Sequence, residues 1–136
     1  ANHRVSDCVH FVGHRDDVPD WLDAADLVVL ASRSEGMPYT LLEAMALGNA
    51  VVATRIGGIV DVVEDGTTGV LVPPENVPAL ADAIINLLAE PRSRERIGQA
   101  ARAEVLESYT AEATACAVVD LYEDLVLNAG DPGAIS

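Results

Sequence analysis

The stretch from Leu27 to Thr54 reads LVVLASRSEGMPYTLLEAMALGNAVVAT, and it decides the fold of the chain. Two short apolar runs, Leu27–Ala31 and Ala50–Thr54, flank a segment with helical character. Continuous apolar runs are typical of strands that are covered on both faces, as in parallel sheets. A helix between two such strands is the repeating unit of α/β proteins. The stretch therefore predicts a parallel sheet with helices packed on both sides.

The helix inside this stretch has start and stop signals in the sequence. Gly36 allows a tight backbone turn, and Pro38 fits the first position of a helix, where a missing N–H loses no hydrogen bond. Gly48 suits the left-handed backbone that commonly follows a helix. We therefore expect a helix over Tyr39–Leu47 that begins directly after a tight loop.

The same alternation of strands and helices continues on both sides of the stretch. Upstream, the pattern predicts a strand at Cys8–Val12 and a short helix at Asp16–Ala25. Downstream, it predicts a short helix at Ile59–Glu64, a turn at Asp65–Gly69 and a strand at Val70–Val72. Three amphipathic helices are expected to follow, at Val77–Ala89, Ser93–Ser108 and Ala111–Asn128. This order indicates an α/β fold with a Rossmann-like, doubly wound parallel sheet and C-terminal helices. We expect one domain over residues 1–130 and a frayed tail over 131–136.

Two carboxylates, Glu35 and Glu43, lie eight positions apart, one in the loop and one on the helix. Ligands of doubly wound sheets bind beyond the carboxyl ends of the strands, where this loop and the loop Ile56–Gly58 are both expected. The N-terminus of a helix offers free N–H groups and a positive dipole end to anions. The layout therefore suits a ligand with phosphate and sugar hydroxyls. These residues alone leave a plainer interpretation open, a helix N-terminus with an acidic residue just before it.

Composition excludes several classes of partner. The chain has 136 residues and a net charge of −14, and all eight of its basic residues are Arg. Such a surface repels nucleic acid and anionic lipid, because phosphate binding needs clustered basic charge. No apolar run reaches the roughly 18 residues of a membrane span.

The spacing of the cysteine and histidine residues does not predict a metal site. We expect Cys8 and Cys116 to be buried thiols in a reducing, cytoplasmic compartment. We also expect His10 to lie on a face of the first strand.

A series of short motifs runs in unbroken order from about Val9 to Tyr109. Listed along the chain, they are Phe11-Val12-Gly13, Glu35-Gly36-Met37-Pro38, Glu43-Ala44-Met45, GNAVVAT at 48–54, Gly57-Gly58, and VEDGTTGVLVP at 63–73. The series resembles the nucleotide-binding C-terminal half of retaining GT-B glycosyltransferases, in particular glycosyltransferase family 4. The resemblance implies a hexosyltransferase-like enzyme that moves a sugar from a nucleotide-sugar to a hydroxyl acceptor.

The resemblance also implies roles for individual residues. Glu43 would accept hydrogen bonds from the ribose hydroxyls, since a carboxylate offers two acceptor oxygens to a vicinal diol. Glu35 would touch hydroxyls of the transferred sugar. The backbone of the loop would face the sugar and the diphosphate, through Gly36, Met37, Pro38, Tyr39 and Thr40. The backbone of Val12, Gly13 and His14 would lie along the nucleobase. The resemblance implies no cofactor and no metal, and the nucleotide-sugar is a substrate.

The sequence also departs from the family pattern. Met37-Pro38 stand where Phe-Gly is common, and Val60-Asp61 stand where Pro-Glu is common. The family's basic pair for the diphosphate and its acceptor-binding N-terminal domain lie upstream of the matched motifs, and Arg33 and Arg55 do not match that pair. We therefore expect the chain to be a fragment of a longer enzyme and to be inactive alone. If Cys8–Val12 is a strand without its neighbour, the exposed sheet edge also favours self-association.

Two other functions stay open at this level. One is a non-catalytic relic or interaction module that keeps the GT-B fold without the chemistry. The other is a related GT-B sugar-nucleotide epimerase.

Overall fold

A computed structural model of the chain describes the backbone of residues 5–128 and the side chains of residues 5–123. The frayed tail predicted for 131–136 lies outside these residues. The elements in chain order are α1 (Val18–Asp23), β1 (Val28–Leu30), α2 (Tyr39–Ala46), β2 (Val51–Thr54), α3 (Ile59–Val62), β3 (Val70–Val72), α4 (Val77–Ala89), α5 (Pro91–Ser108) and α6 (Ala111–Asn128). Most match the predicted segments to within one or two residues; α1 is shorter at both ends, and α5 begins at Pro91 rather than at Ser93.

The sheet is parallel, as predicted, and β2 is its central strand. The strand order within the described residues is β1-β2-β3. Val52 is paired with Val29 on one side and with Val70 on the other. Because all three strands run in the same direction, their carboxyl ends meet at one edge of the sheet.

The strand β2 has a covered face on each side. Val51 and Ala53 belong to a core cluster that also contains Leu41 and Met45 of α2. Val52 belongs to a second cluster, which includes Leu87 of α4. All four residues of β2 are buried. The run is therefore apolar throughout because both faces of the strand are covered, as the sequence predicted.

The helix α2 is fixed at both ends by the predicted residues. Its N-terminal flanking residue is Pro38, one position earlier than the first-turn position expected for it. At the other end, Gly48 has a φ of 84°, and its N–H donates to the carbonyl of Met45 at 2.9 Å. A Cβ added at Gly98 of α5 would lie 2.0 Å from the carbonyl oxygen of Gly48. The absence of a side chain at Gly98 therefore lets α5 pack directly on the end of α2.

The predicted strand at Cys8–Val12 is wrong. This segment has no regular secondary structure, and its side chains are exposed, including His10 and, at 98%, Phe11. Within residues 5–128 no neighbouring strand pairs with it. Backbone groups without a partner strand are satisfied by water, so an apolar sequence alone does not make a strand.

The prediction of two buried thiols is wrong as well. Cys8 and Cys116 are both exposed and free. Cys8 is exposed because the segment around it does not join the sheet. Cys116 lies on α6, which leaves Val118 and Leu121 exposed too. No helix in the described part of the chain is long and apolar enough to cross a membrane.

Candidate functional site

The loop between β1 and α2 lies at the carboxyl edge of the sheet. It follows Leu30, the last residue of β1, and it carries Glu35, which is half-buried. The Ser32 hydroxyl donates to Oε1 of Glu35 at 2.7 Å. The Thr54 hydroxyl, at the end of β2, donates to the carbonyl of Ser32 at 2.6 Å. The loop is therefore tied to the central strand by a buried threonine.

The Gly57-Gly58 turn supports the same loop from the other side. The N–H of Gly58 donates to the carbonyl of Glu35 at 3.4 Å. A Cβ at Gly57 would lie 2.5 Å from the Glu35 carbonyl oxygen, and a Cβ at Gly58 would lie 1.6 Å from the oxygen of Gly36. The two loops are in direct backbone contact, and only glycine permits that contact. The sequence placed both loops at one edge, and the structure brings them together.

The N-terminus of α2 opens on this edge. Among residues 5–128, the structure shows no hydrogen-bond partner for the backbone N–H groups of Gly36, Met37, Tyr39 and Thr40. An added Cβ at Gly36 would meet no atom within 4 Å, so the space in front of this backbone is open. Exposed N–H groups at the positive end of a helix dipole suit an anionic group such as a diphosphate.

Glu43 lies on the outer face of α2. The core-facing residues of this helix are Leu41, Ala44 and Met45. Glu43 is exposed on the opposite side, one helical turn from Tyr39, whose exposure is 74%. The carboxylate is therefore directed away from the core and is free to meet a ligand that approaches the start of the helix.

The residues predicted for the nucleobase share one cavity. Val12, Gly13 and His14 line a cavity of about 380 Å³ together with Arg15, Val18 and Trp21. Gly13 has a φ of 67°, a left-handed conformation that favours glycine. The helix α1, which carries Val18 and Trp21, packs on α2. The cavity therefore lies beside α1, which in turn packs on the helix that bears Glu43.

Arg15, Asp17 and Trp21 form a cluster at this cavity that the sequence did not reveal. The Arg15 guanidinium donates to both carboxylate oxygens of Asp17, at 2.7 and 2.6 Å, and lies 5.3 Å from the centre of the Trp21 ring. The hydrogen bond from Arg15 holds the pKa of Asp17 below its usual value of 3.8. The available signal was the spacing of Asp17 and Trp21, which places them one helical turn apart at the start of a short helix.

A second cleft, of about 290 Å³, was not predicted. It lies at the carboxyl ends of all three strands, and Ser32, Thr54, Val72 and Asn76 are among its lining residues. Arg33 and Glu75 stand at its rim, where Arg33 Nε lies 3.3 Å from Glu75 Oε1. Neither Glu35 nor Glu43 lines this cleft or the cavity at Val12. The residues predicted to contact the donor therefore do not lie together in one enclosed pocket.

The described residues contain no group of three or more His, Cys, Asp or Glu side chains placed to hold a metal ion. The groups that this part of the structure presents to a ligand are the open amides at the start of α2, the carboxylates of Glu35 and Glu43, and the cavity at Trp21.

The chain belongs to the glycosyltransferase group 1 family. The sequence profile of the family, described as "Glycosyl transferases group 1", matches residues 1–90. The chain is also 34% identical over 125 residues to the N-acetyl-alpha-D-glucosaminyl L-malate synthase of Bacillus anthracis. That match covers 92% of this chain and 33% of the relative.

Solved structures show the same fold. Sucrose-phosphate synthase from Thermosynechococcus elongatus superposes with a TM-score of 0.80 at 35% identity, over 90% of this chain and 31% of that protein. The HepE protein of Anabaena in complex with UDP superposes with a TM-score of 0.78 at 28% identity, over 85% of this chain and 32% of that protein. A further HepE structure contains UDP-glucose. The chain thus has the Rossmann-like α/β fold of GT-B glycosyltransferases and spans about a third of the length of these relatives.

Proposed function

We propose that this chain is the donor-binding part of a retaining glycosyltransferase of family 4, which transfers a sugar from a nucleotide-sugar to a hydroxyl acceptor. The observation that carries the proposal is the loop Glu35–Pro38, held against Gly57-Gly58 in front of an open helix N-terminus. The HepE structures with UDP and UDP-glucose support a nucleotide-sugar as the donor.

The diphosphate of the donor would lie at the start of α2. The open N–H groups of Gly36, Met37, Tyr39 and Thr40 would donate to the phosphate and sugar oxygens. The backbone of Pro38 would lie alongside, since it directly precedes the helix. Negative charge grows on the diphosphate as the bond to the sugar breaks, and amides fixed before the reaction stabilise that charge without reorganising.

The two carboxylates would divide the recognition of the donor. Glu43 is exposed one turn into α2, where it would bind the ribose hydroxyls. Glu35 is held in the loop by Ser32 and would bind hydroxyls of the transferred sugar. A carboxylate accepts two hydrogen bonds from neighbouring hydroxyls, which gives both strength and orientation.

The nucleobase would lie along Val12, Gly13 and His14. These residues line the cavity next to α1, and Trp21 adds an aromatic wall to it. Gly13 has a positive φ at this turn, a backbone conformation that favours a residue without a Cβ.

Other parts of the proposal concern the whole protein. The chain carries a charge of −14, and the arginines of these loops, Arg33 and Arg55, are paired with Glu75 and Asp65, so tight binding of the diphosphate needs further cations. We place that basic pair, and the acceptor site, in the remaining two thirds that the relatives have. Residues 1–130 would form part of the donor-binding domain, the protein would be cytoplasmic, and donor binding would need no cofactor and no metal.

The experiment compares Glu43→Ala and Glu35→Ala in the full-length protein. We expect Glu43→Ala to weaken binding of the nucleotide-sugar, and Glu35→Ala to lower turnover and to weaken binding of the sugar part of the donor. Each variant removes a charged hydrogen-bond acceptor, which costs about 1.5–3 kcal/mol. The association constant of Glu43→Ala and the turnover number of Glu35→Ala should therefore fall roughly ten- to hundredfold. Glu107→Ala is the matched control, because Glu107 is an exposed glutamate on α5. Kinetics and binding equal to wild type in both site variants would reject the assigned roles.

A further inference from the structure

The carboxylate of Glu35 is held on one side only. Its Oε1 accepts the Ser32 hydroxyl at 2.7 Å, and the structure shows no partner for Oε2 among residues 5–128. A half-buried carboxylate with one oxygen fixed keeps the other in a set direction. Glu35 is therefore oriented before any ligand arrives.

The residue that orients Glu35 is itself fixed. The hydroxyl of Thr54 donates to the Ser32 carbonyl at 2.6 Å, and Thr54 is only 5% exposed. Thr54 is the last residue of β2, the central strand of the sheet. The backbone of Ser32, and with it the Glu35 loop, is thus tied to the buried central strand of the sheet.

We propose that Ser32 is a positioning residue, which sets the direction of the Glu35 carboxylate toward the donor sugar. The inference rests on the proposed function, in which Glu35 binds hydroxyls of that sugar. Without the Ser32 hydroxyl, the carboxylate turns about its side-chain bonds, and the ligand must order it on binding. That ordering lowers affinity for the sugar and leaves affinity for the nucleotide unchanged.

The test separates the sugar from the nucleotide. In the full-length protein, dissociation constants are measured for UDP and UDP-glucose, and for GDP and GDP-mannose, by calorimetric titration. Ser32→Ala is expected to weaken binding of the nucleotide-sugar about three- to tenfold, the range for ordering one side chain on binding, and to leave binding of the free nucleotide unchanged. A general loss of structure would weaken both ligands together.

Three variants make the test specific. Ser32→Thr keeps the hydroxyl and should restore the wild-type ratio of the two constants. Ser34→Ala removes an exposed serine of the same loop and should change neither constant. In a Glu35→Ala background, Ser32→Ala should have no further effect, because the side chain that it orients is gone.

The outcomes distinguish the inference from the proposed function. If the wild-type protein binds none of the four ligands, the proposed function is rejected and the inference with it. If the wild type binds but Ser32→Ala leaves the ratio unchanged, weakens both ligands equally, or still acts without Glu35, the inference is overturned and the proposed function stands.

Discussion

Two short apolar runs, each with a glycine within four residues of its end, adopt different structures in this molecule. The run AVVAT at 50–54 contains the central strand β2, with Val51–Thr54 all buried. The run CVHFV at 8–12 has no regular structure, and Val9 and Phe11 are exposed at 47% and 98%. The difference does not come from strand propensity, since both runs are rich in residues that favour strands. It comes from the presence of partner strands on both sides of β2.

The glycines after the two runs differ in the same way. Gly58 touches the backbone of Gly36, and this contact builds the candidate site. Gly13 meets nothing within 4 Å and is required only by its left-handed backbone. The region around β2 is thus fixed by packing, and the N-terminal region is fixed by local geometry. Matched substitutions in the two regions should therefore differ in their effect on stability.

The largest effect is expected for Gly58→Ala. The new Cβ would lie 1.6 Å from the Gly36 oxygen, so one of the two loops must move. Gly58 has a φ of −63°, which alanine adopts without strain, and the whole effect therefore comes from the contact. We expect a loss of about 3 kcal/mol in the free energy of unfolding, measured by urea denaturation.

Gly13→Ala is the matched variant on the other side of the comparison. It should cost about 1 kcal/mol, because alanine is strained at a φ of 67° but meets no neighbouring atom. Equal losses in the two variants would show that the contact between the loops does not exist in solution.

A smaller effect is expected from one substitution made at two positions. Val52→Ala removes two methyl groups from a fully buried site in β2 and should cost about 2 kcal/mol. Val9→Ala makes the same change on an exposed side chain and should cost less than about 0.5 kcal/mol. Urea denaturation of both variants measures the difference. A loss at Val9 as large as that at Val52 would mean that the segment 8–12 is packed after all.

The smallest effect concerns pH and the cluster next to the segment 8–14. The Arg15 hydrogen bond lowers the pKa of Asp17 below 3.8, so the pair stabilises the folded state above about pH 4. That contribution is lost as the pH falls through the lower folded pKa. The melting temperature of wild type should therefore fall slightly more than that of Asp17→Asn between about pH 5 and about pH 3. Identical pH profiles would show that the pair has no effect on stability.

The sequence predicts the sheet and the loop of the candidate site well, for identifiable reasons. The runs at β1 and β2, the Gly36 and Pro38 signals and the Gly48 stop are local features with local physical causes. The parallel sheet then places the loops after β1 and β2 at one edge without further information.

The sequence fails where the outcome depends on a distant partner. Whether Cys8–Val12 forms a strand depends on a neighbouring strand, which no property of its own residues reveals. The Ser32–Glu35 hydrogen bond and the close backbone contact of Gly58 with Gly36 depend on rotamers and loop geometry, which only the folded chain defines. The prediction that Cys8 is buried is wrong for the same reason, because Cys8 belongs to the segment that was expected to join the sheet.

The central claim is that the edge formed by the Glu35 loop and the N-terminus of α2 binds a nucleotide-sugar. The most direct measurement is the change in backbone amide NMR shifts of the 136-residue chain on titration with UDP-glucose and GDP-mannose. The measurement detects weak binding, so the lower affinity expected of a chain without the basic pair is still observable. We predict the largest shifts at the amides of Gly36, Met37, Tyr39 and Thr40. Shifts confined to other regions, such as the cleft at Glu75 and Asn76, or no shifts with either ligand, would contradict the account.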